Sequence, residues 1–119
     1  MIAFNRFPVM VYLLVVFFNY PQTIKKIFRF TEDLHNHVEF ENDTESFDAA
    51  IMNFIILGEN VARLSDTFKE KHNHVDWHKI YAFRNVLAHD YFGILPQEVW
   101  EIIVKHLPKL QTDIEQIIK

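Results

Sequence analysis

The sequence predicts an all-α protein, an antiparallel bundle of four or five helices. Three observations carry that prediction. Apolar residues recur at a period near 3.6 through most of the chain, as in Ile51, Phe54, Ile55, Val61 and Leu64. Only two glycines are present, too few for an all-β fold punctuated by tight turns. A composition of 50% apolar and 24% charged residues is ordinary for a globular chain, and 119 residues suit one domain that buries roughly two thirds of its unfolded surface.

The opening segment contains the unbroken apolar run Val9 to Phe18, closed by Asn19-Tyr20-Pro21. The run falls well short of the about 20 residues needed to span a bilayer, and no small-x-small cleavage pattern comes after it, so a buried or oligomer-facing helix is expected and no membrane partner. From Pro21 a second helix reads Ile24, Ile27, Phe28 and Leu34 on one side and Lys25, Lys26 and Arg29 on the other. His37 to Glu45 is polar and acidic and reads as a connection. Ser46 is the expected N-cap of the next helix, with Asp48 in its first turn, and the period from Phe47 to Phe68 predicts about six turns. Gly58 lies inside that helix and costs about 1 kcal/mol against alanine, so a second helix is expected to cross closely there.

Asp76 reads as the N-cap of a helix from Trp77 to about Tyr91, stopped by Gly93 and Pro96. His74 and His78 have the spacing of a helical metal pair, but the cap leaves His74 outside the helix, so no metal site is expected. Pro96 suits the first position of a last helix carrying Val99, Trp100, Ile103, Val104 and Leu107. Pro108 must kink or restart it, before Leu110, Ile114, Ile117 and Ile118 pack the tail.

Chemistry concentrates in Arg84-Asn85-Val86-Leu87-Ala88-His89-Asp90-Tyr91, which places a guanidinium, an amide, an imidazole, a carboxylate and a phenol at a helix end. Near neutral pH an imidazole can transfer protons, and a permanently charged guanidinium can grip phosphate oxygens. RNA supplies its own nucleophile, the 2′-hydroxyl, so Arg84 and His89 are candidate catalytic residues for its cleavage. Asn85 and Asp90 are candidate supports, the latter for orienting the imidazole, and Glu59 is a third, either an exposed glutamate or a group that pairs with Arg84 or orients it near the cleft. Arg84 and His89 stand about 140° apart around an unbroken helix. They can serve one site if the helix tightens or unwinds near His89, or if a second copy supplies half of the groups across a two-fold axis.

Arg84, His89 and Tyr91 fall without gaps on the pattern Arg-x4-His-x-Tyr. With Leu57-Gly58-Glu59, Ala62-Arg63-Leu64-Ser65, Asp76-Trp77 and Val99-Trp100 in order around it, the chain resembles the HEPN-domain ribonuclease toxins of the HepT type over about residues 23–119. Residues 1–22 depart from the pattern, since the resemblance implies an amphipathic, charged first helix. It further implies a homodimer, metal-independent endoribonuclease activity and a partner nucleotidyltransferase of the MNT type that acts as antitoxin by transferring AMP from ATP onto the motif tyrosine, here Tyr91. A non-catalytic HEPN module that binds a nucleotide or serves such a transferase is the alternative.

The resemblance implies RNA as substrate and no DNA partner, and the formal charge of −4, which argues against indiscriminate nucleic-acid binding, requires the cations to gather in one local cleft. The chain has no cysteine, which excludes disulfides and cysteine-held metals and suits a cytoplasmic location. No cofactor is expected.

Overall fold

The computed structural model of the chain describes residues 22–117, and every regular element among them is helical. The apolar run Val9 to Phe18 lies outside the described residues, as does Ile118. Helix α1 covers 22–31, with Ile24 and Ile27 fully buried while Lys25, Lys26 and Arg29 face solvent, the division that its pattern predicts.

The expected connection after α1 contains a helix, α2 (His37–Asn42). Its start is fixed by Asn36, whose side chain accepts from the Glu39 N–H at 2.9 Å and donates back to the Glu39 carboxylate at 3.0 Å. Phe40 anchors it, fully buried, with its ring 5.1 Å from that of Phe47 and 5.6 Å from that of Trp100. One buried aromatic among charged neighbours makes no periodic stripe, which is why the segment does not read as a helix.

Helix α3 (Thr44–Ala62) begins earlier than predicted. Asp43 is its N-cap and accepts from the Ser46 N–H at 3.1 Å, so Ser46 is capped rather than capping. The helix also stops earlier, and Ser65 caps a separate short helix, α4 (Asp66–Lys71), by accepting from the Phe68 N–H. Leu64 is buried and Phe68 packs against the core on the same period, so spacing alone runs across the break. The loop after α4 is tied down by the Trp77 indole, which donates to the His72 carbonyl at 3.0 Å.

Helix α5 (Trp77–His89) starts at its predicted cap, the Asp76 side chain accepting from the Lys79 N–H. It packs along α3. Asp48, early on α3, meets Tyr91 just past the end of α5, whereas Phe54 and Gly58, later on α3, meet Phe83 (edge to face at 5.2 Å) and Arg84, which come earlier in the chain than Tyr91. The pair is therefore antiparallel.

A 3₁₀ turn, Tyr91–Gly93, leads to α6 (Pro96–Glu101), whose Pro96 occupies the first turn as predicted. The last helix runs on through Pro108 without a restart. That helix widens into a π segment, Ile102–His106, in which the Leu107 N–H reaches back to the Ile102 carbonyl, and then continues as α7 (Leu107–Ile117). Proline has no N–H, and its ring would collide with the carbonyl four residues back, so the wider turn just ahead of it relieves the conflict. Helices α1, α3, α5 and the continuous α6–α7 are the four long members of the bundle. They share a core that includes Ile24, Ile27, Leu57, Leu87, Ile103, Leu107 and Ile114, each such residue contributing about 1.5–3 kcal/mol by leaving water.

Candidate active site at the end of α5

The site begins with Gly58. A Cβ built there would lie 2.1 Å from Cβ of Arg84 and 2.6 Å from its Cγ, so α5 crosses α3 at a distance only glycine allows. The crossing presses the base of the Arg84 side chain against α3, one residue before Glu59. Arg84 Nη2 donates to the Glu59 carboxylate in an ion pair, and Nη1 donates to Oδ1 of Asn85 at 2.7 Å. The guanidinium carbon sits 5.9 Å from the Tyr81 ring centroid. The Nε–H is buried with no hydrogen-bond partner among the described residues. Arg84 is thus a fixed, largely desolvated cation, its side chain only 21% exposed, that still has donors to spare.

His89 differs in every respect. It is the last residue of α5, exposed, and its side chain makes no hydrogen bond within the described residues. The helix neither tightens nor unwinds before it, since the Asp90 N–H donates to the Val86 carbonyl in ordinary α fashion at 2.9 Å. Arg84 and His89 of one chain therefore stay on different sides of the helix. Asp90 is not hydrogen-bonded to His89. Its carboxylate folds over Gly93, where an added Cβ would come within 2.2 Å of Oδ2.

Tyr91 stands on the 3₁₀ turn, and its hydroxyl donates to the carboxylate of Asp48 in the early part of α3. The phenol pKa is raised above its ordinary value of 10, first by this hydrogen bond, then by desolvation and by the negative charge of Asp48. The ring is flanked edge-on by Phe47 at 6.4 Å and Phe92 at 5.5 Å. Asp48 is the contact of the motif that the sequence pattern did not reveal, where it reads only as a helix-start acid. With 43 residues separating it from Tyr91, the sole available signal was its position near the start of an antiparallel partner helix.

A groove of about 440 Å³ lies elsewhere, floored by Phe54, Ile80, Phe83 and Leu107 and edged by His74 and His106. It includes none of the motif residues. Among the described residues no group of three or more His, Asp or Glu is placed to hold a metal ion, and no helix is long and apolar enough to cross a membrane.

A helical bundle that fixes Arg84 beside a glycine crossing, ends the same helix at His89 and carries Tyr91 on the next turn has the layout that the HEPN resemblance implies. A family model described as "Ribonuclease HepT-like" matches residues 21–117. The chain belongs to this HepT-like ribonuclease family and, by that membership, is an endoribonuclease. It is 35% identical over 81 residues to "Putative RNase TTE0752" of Caldanaerobacter subterraneus subsp. tengcongensis, covering 68% of this chain and 72% of that one. It is 34% identical over 98 residues to "Putative RNase MJ0127" of Methanocaldococcus jannaschii, covering 82% and 80%. The "Probable ribonuclease HepT" of Thermococcus cleftensis is 25% identical over 104 residues, covering 85% of this chain and 94% of its own. No solved structure matches the chain significantly.

Proposed function

We propose that the chain is the toxin of a toxin–antitoxin pair, a metal-independent endoribonuclease whose catalytic residues are Arg84 and His89. The observation that supports this reading is the contrast between them: one cation locked in place by Glu59 and Asn85, one exposed imidazole at a helix end with no hydrogen bond among the described residues. In the reaction a base takes the proton of the 2′-hydroxyl, the oxygen attacks phosphorus, and the 5′-oxygen leaves with a proton from an acid. Arg84 holds the non-bridging oxygens with the donors that Glu59 and Asn85 leave over.

One histidine per motif cannot be base and acid in the same step. Two copies related by a two-fold axis supply both, His89 of one and His89 of the partner subunit, and reunite groups that a single α5 holds apart. Val86, Phe92 and Leu95 support a contact of this kind, being apolar side chains 56%, 99% and 57% exposed around the motif. RNA is the substrate, and an MNT-type nucleotidyltransferase is the antitoxin partner. Its transfer of AMP to Tyr91 adds a bulky anion to the turn after α5, which crowds and repels RNA there.

Expression of the chain alone is expected to arrest growth, and His89→Ala to abolish the arrest. Arrest that persists undiminished in that variant sinks the catalytic reading, and no arrest by the wild-type chain favours a non-catalytic partner module. With the transferase and ATP, the Tyr91 peptide is expected to gain AMP by mass spectrometry, while Tyr91→Phe keeps ribonuclease activity and escapes neutralisation. Full neutralisation of Tyr91→Phe means that the partner inhibits by covering the site.

A further inference from the structure

We propose that Asp48 is the general base for AMP transfer onto Tyr91, so that the toxin carries part of the machinery of its own inactivation. The inference rests on the reading of Tyr91 as the AMP acceptor, and adds to it a catalytic residue on a different helix.

The geometry is specific. Antiparallel packing of α3 on α5 brings Asp48 to the 3₁₀ turn, where its carboxylate accepts the hydrogen bond of the Tyr91 hydroxyl. Phe47, next to Asp48 on α3, meets the Tyr91 ring edge-on at 6.4 Å, so the same turn of α3 contacts both the ring and its hydroxyl. Tyr91 remains 44% exposed, so an incoming nucleotide can reach its oxygen. Among the described residues no other carboxylate bonds this hydroxyl, and Asp90, the nearest in sequence, is turned over Gly93.

The chemistry needs such a group. A phenol with an ordinary pKa of about 10 is only about one part in a thousand phenolate at pH 7, and the Asp48 contact disfavours free phenolate further. Transfer therefore proceeds through the neutral phenol, with the proton removed as the new bond forms. Tyr91 Oη attacks the α-phosphorus of ATP, the bond from that phosphorus to the β-phosphate oxygen breaks, and pyrophosphate leaves with the electron pair. As the phenol oxygen bonds to phosphorus its proton becomes strongly acidic and passes to Asp48, which later releases it to water. A carboxylate in hydrogen-bond contact with a nucleophilic hydroxyl plays this part in other phosphoryl transfers.

The product reinforces the assignment. Esterified Oη has no hydrogen to donate, and its phosphodiester is negative, so it is repelled by the ionised Asp48 carboxylate. Modification thus breaks the tie between α3 and the turn. The modified side chain leaves α3 rather than settling back onto it.

The test follows label from [α-³²P]ATP into the purified full chain in the presence of its MNT-type nucleotidyltransferase, comparing wild type with Asp48→Asn and Asp48→Glu. Asparagine keeps an acceptor oxygen of the same shape and removes the basicity. The rate at saturating chain is expected to fall about 10²–10⁴-fold in Asp48→Asn, with KM for the chain little changed. Asp48→Glu is expected to recover part of the rate. Ribonuclease activity of Asp48→Asn is expected to match wild type, which also reports that the variant folds. Labelling of Asp48→Asn at the wild-type rate overturns the proposal and leaves the base to the transferase, and so does a raised KM with an unchanged maximal rate, which marks a docking contact. No label on wild type overturns the reading of Tyr91 and the role of Asp48 together.

Discussion

Arg84 and His89 occupy opposite regimes, and the variants at each are expected to fail differently. His89 is exposed and its imidazole makes no hydrogen bond among the described residues, so His89→Ala is expected to leave stability within the range of about ±0.5 kcal/mol typical of surface changes, as read by thermal denaturation. Cleavage is nevertheless expected to fall by about 10²–10⁴-fold, the usual share of a general acid or base. A large loss of stability with activity to match would mean that His89 is structural. Glu59 tests the other half. Its ion pair with Arg84 is partly exposed, so Glu59→Ala is expected to cost no more than about 1 kcal/mol in thermal denaturation. It frees a guanidinium that must meet phosphate at a set angle, and kcat/KM for RNA is expected to drop about tenfold or more. Unchanged kcat/KM in Glu59→Ala would show that the Gly58 crossing alone suffices to aim Arg84.

Between helices, the crossing at Gly58 makes the sharpest prediction. By propensity alone Gly58→Ala should stabilise α3 by about 1 kcal/mol. The added methyl group, however, falls on Cβ and Cγ of Arg84, which are anchored near the α5 backbone and cannot swing aside as a flexible tip would. The two helices must part, so a lower melting temperature is expected together with weaker RNA cleavage. A variant more stable than wild type, with full activity, would contradict the packing. The crossing was legible because glycine within a long apolar period has few other reasons to be there. So were the cap at Asp76 and Pro96 at a first helical position, while the pairing of Glu59 with Arg84 was one of two readings of an acid beside that glycine. Other features left no local trace. Helix α2 depends on Phe40 finding Phe47 and Trp100, the stop after Ala62 leaves the apolar period undisturbed, and the π segment shows only as a proline that the helix survives. The contact of Asp48 with Tyr91 depends on antiparallel pairing across 43 residues, which no window of sequence contains.

For the whole molecule, the separation of Arg84 from His89 around an unbroken α5 turns a question of local geometry into one of assembly. The chain is expected to be a dimer by light scattering at micromolar concentration, and Phe92→Asp, which charges a side chain 99% exposed beside the motif, is expected to shift it toward monomer with loss of cleavage. A fully active monomer would place both proton transfers within one chain and dismiss the composite site. The same scale governs charge. With a net −4, the protein cannot hold RNA by counterion release along its whole surface, so binding must be local to the guanidinium and its surroundings. The central claim, that Arg84 and His89 cleave RNA through its own 2′-hydroxyl, is tested most directly by end-group analysis of RNA fragments produced by the purified chain in EDTA. Cleavage is expected to survive EDTA, to leave 2′,3′-cyclic phosphate ends and to disappear in His89→Ala; cleavage abolished by EDTA and restored by a divalent ion, or undiminished in His89→Ala, would contradict the claim.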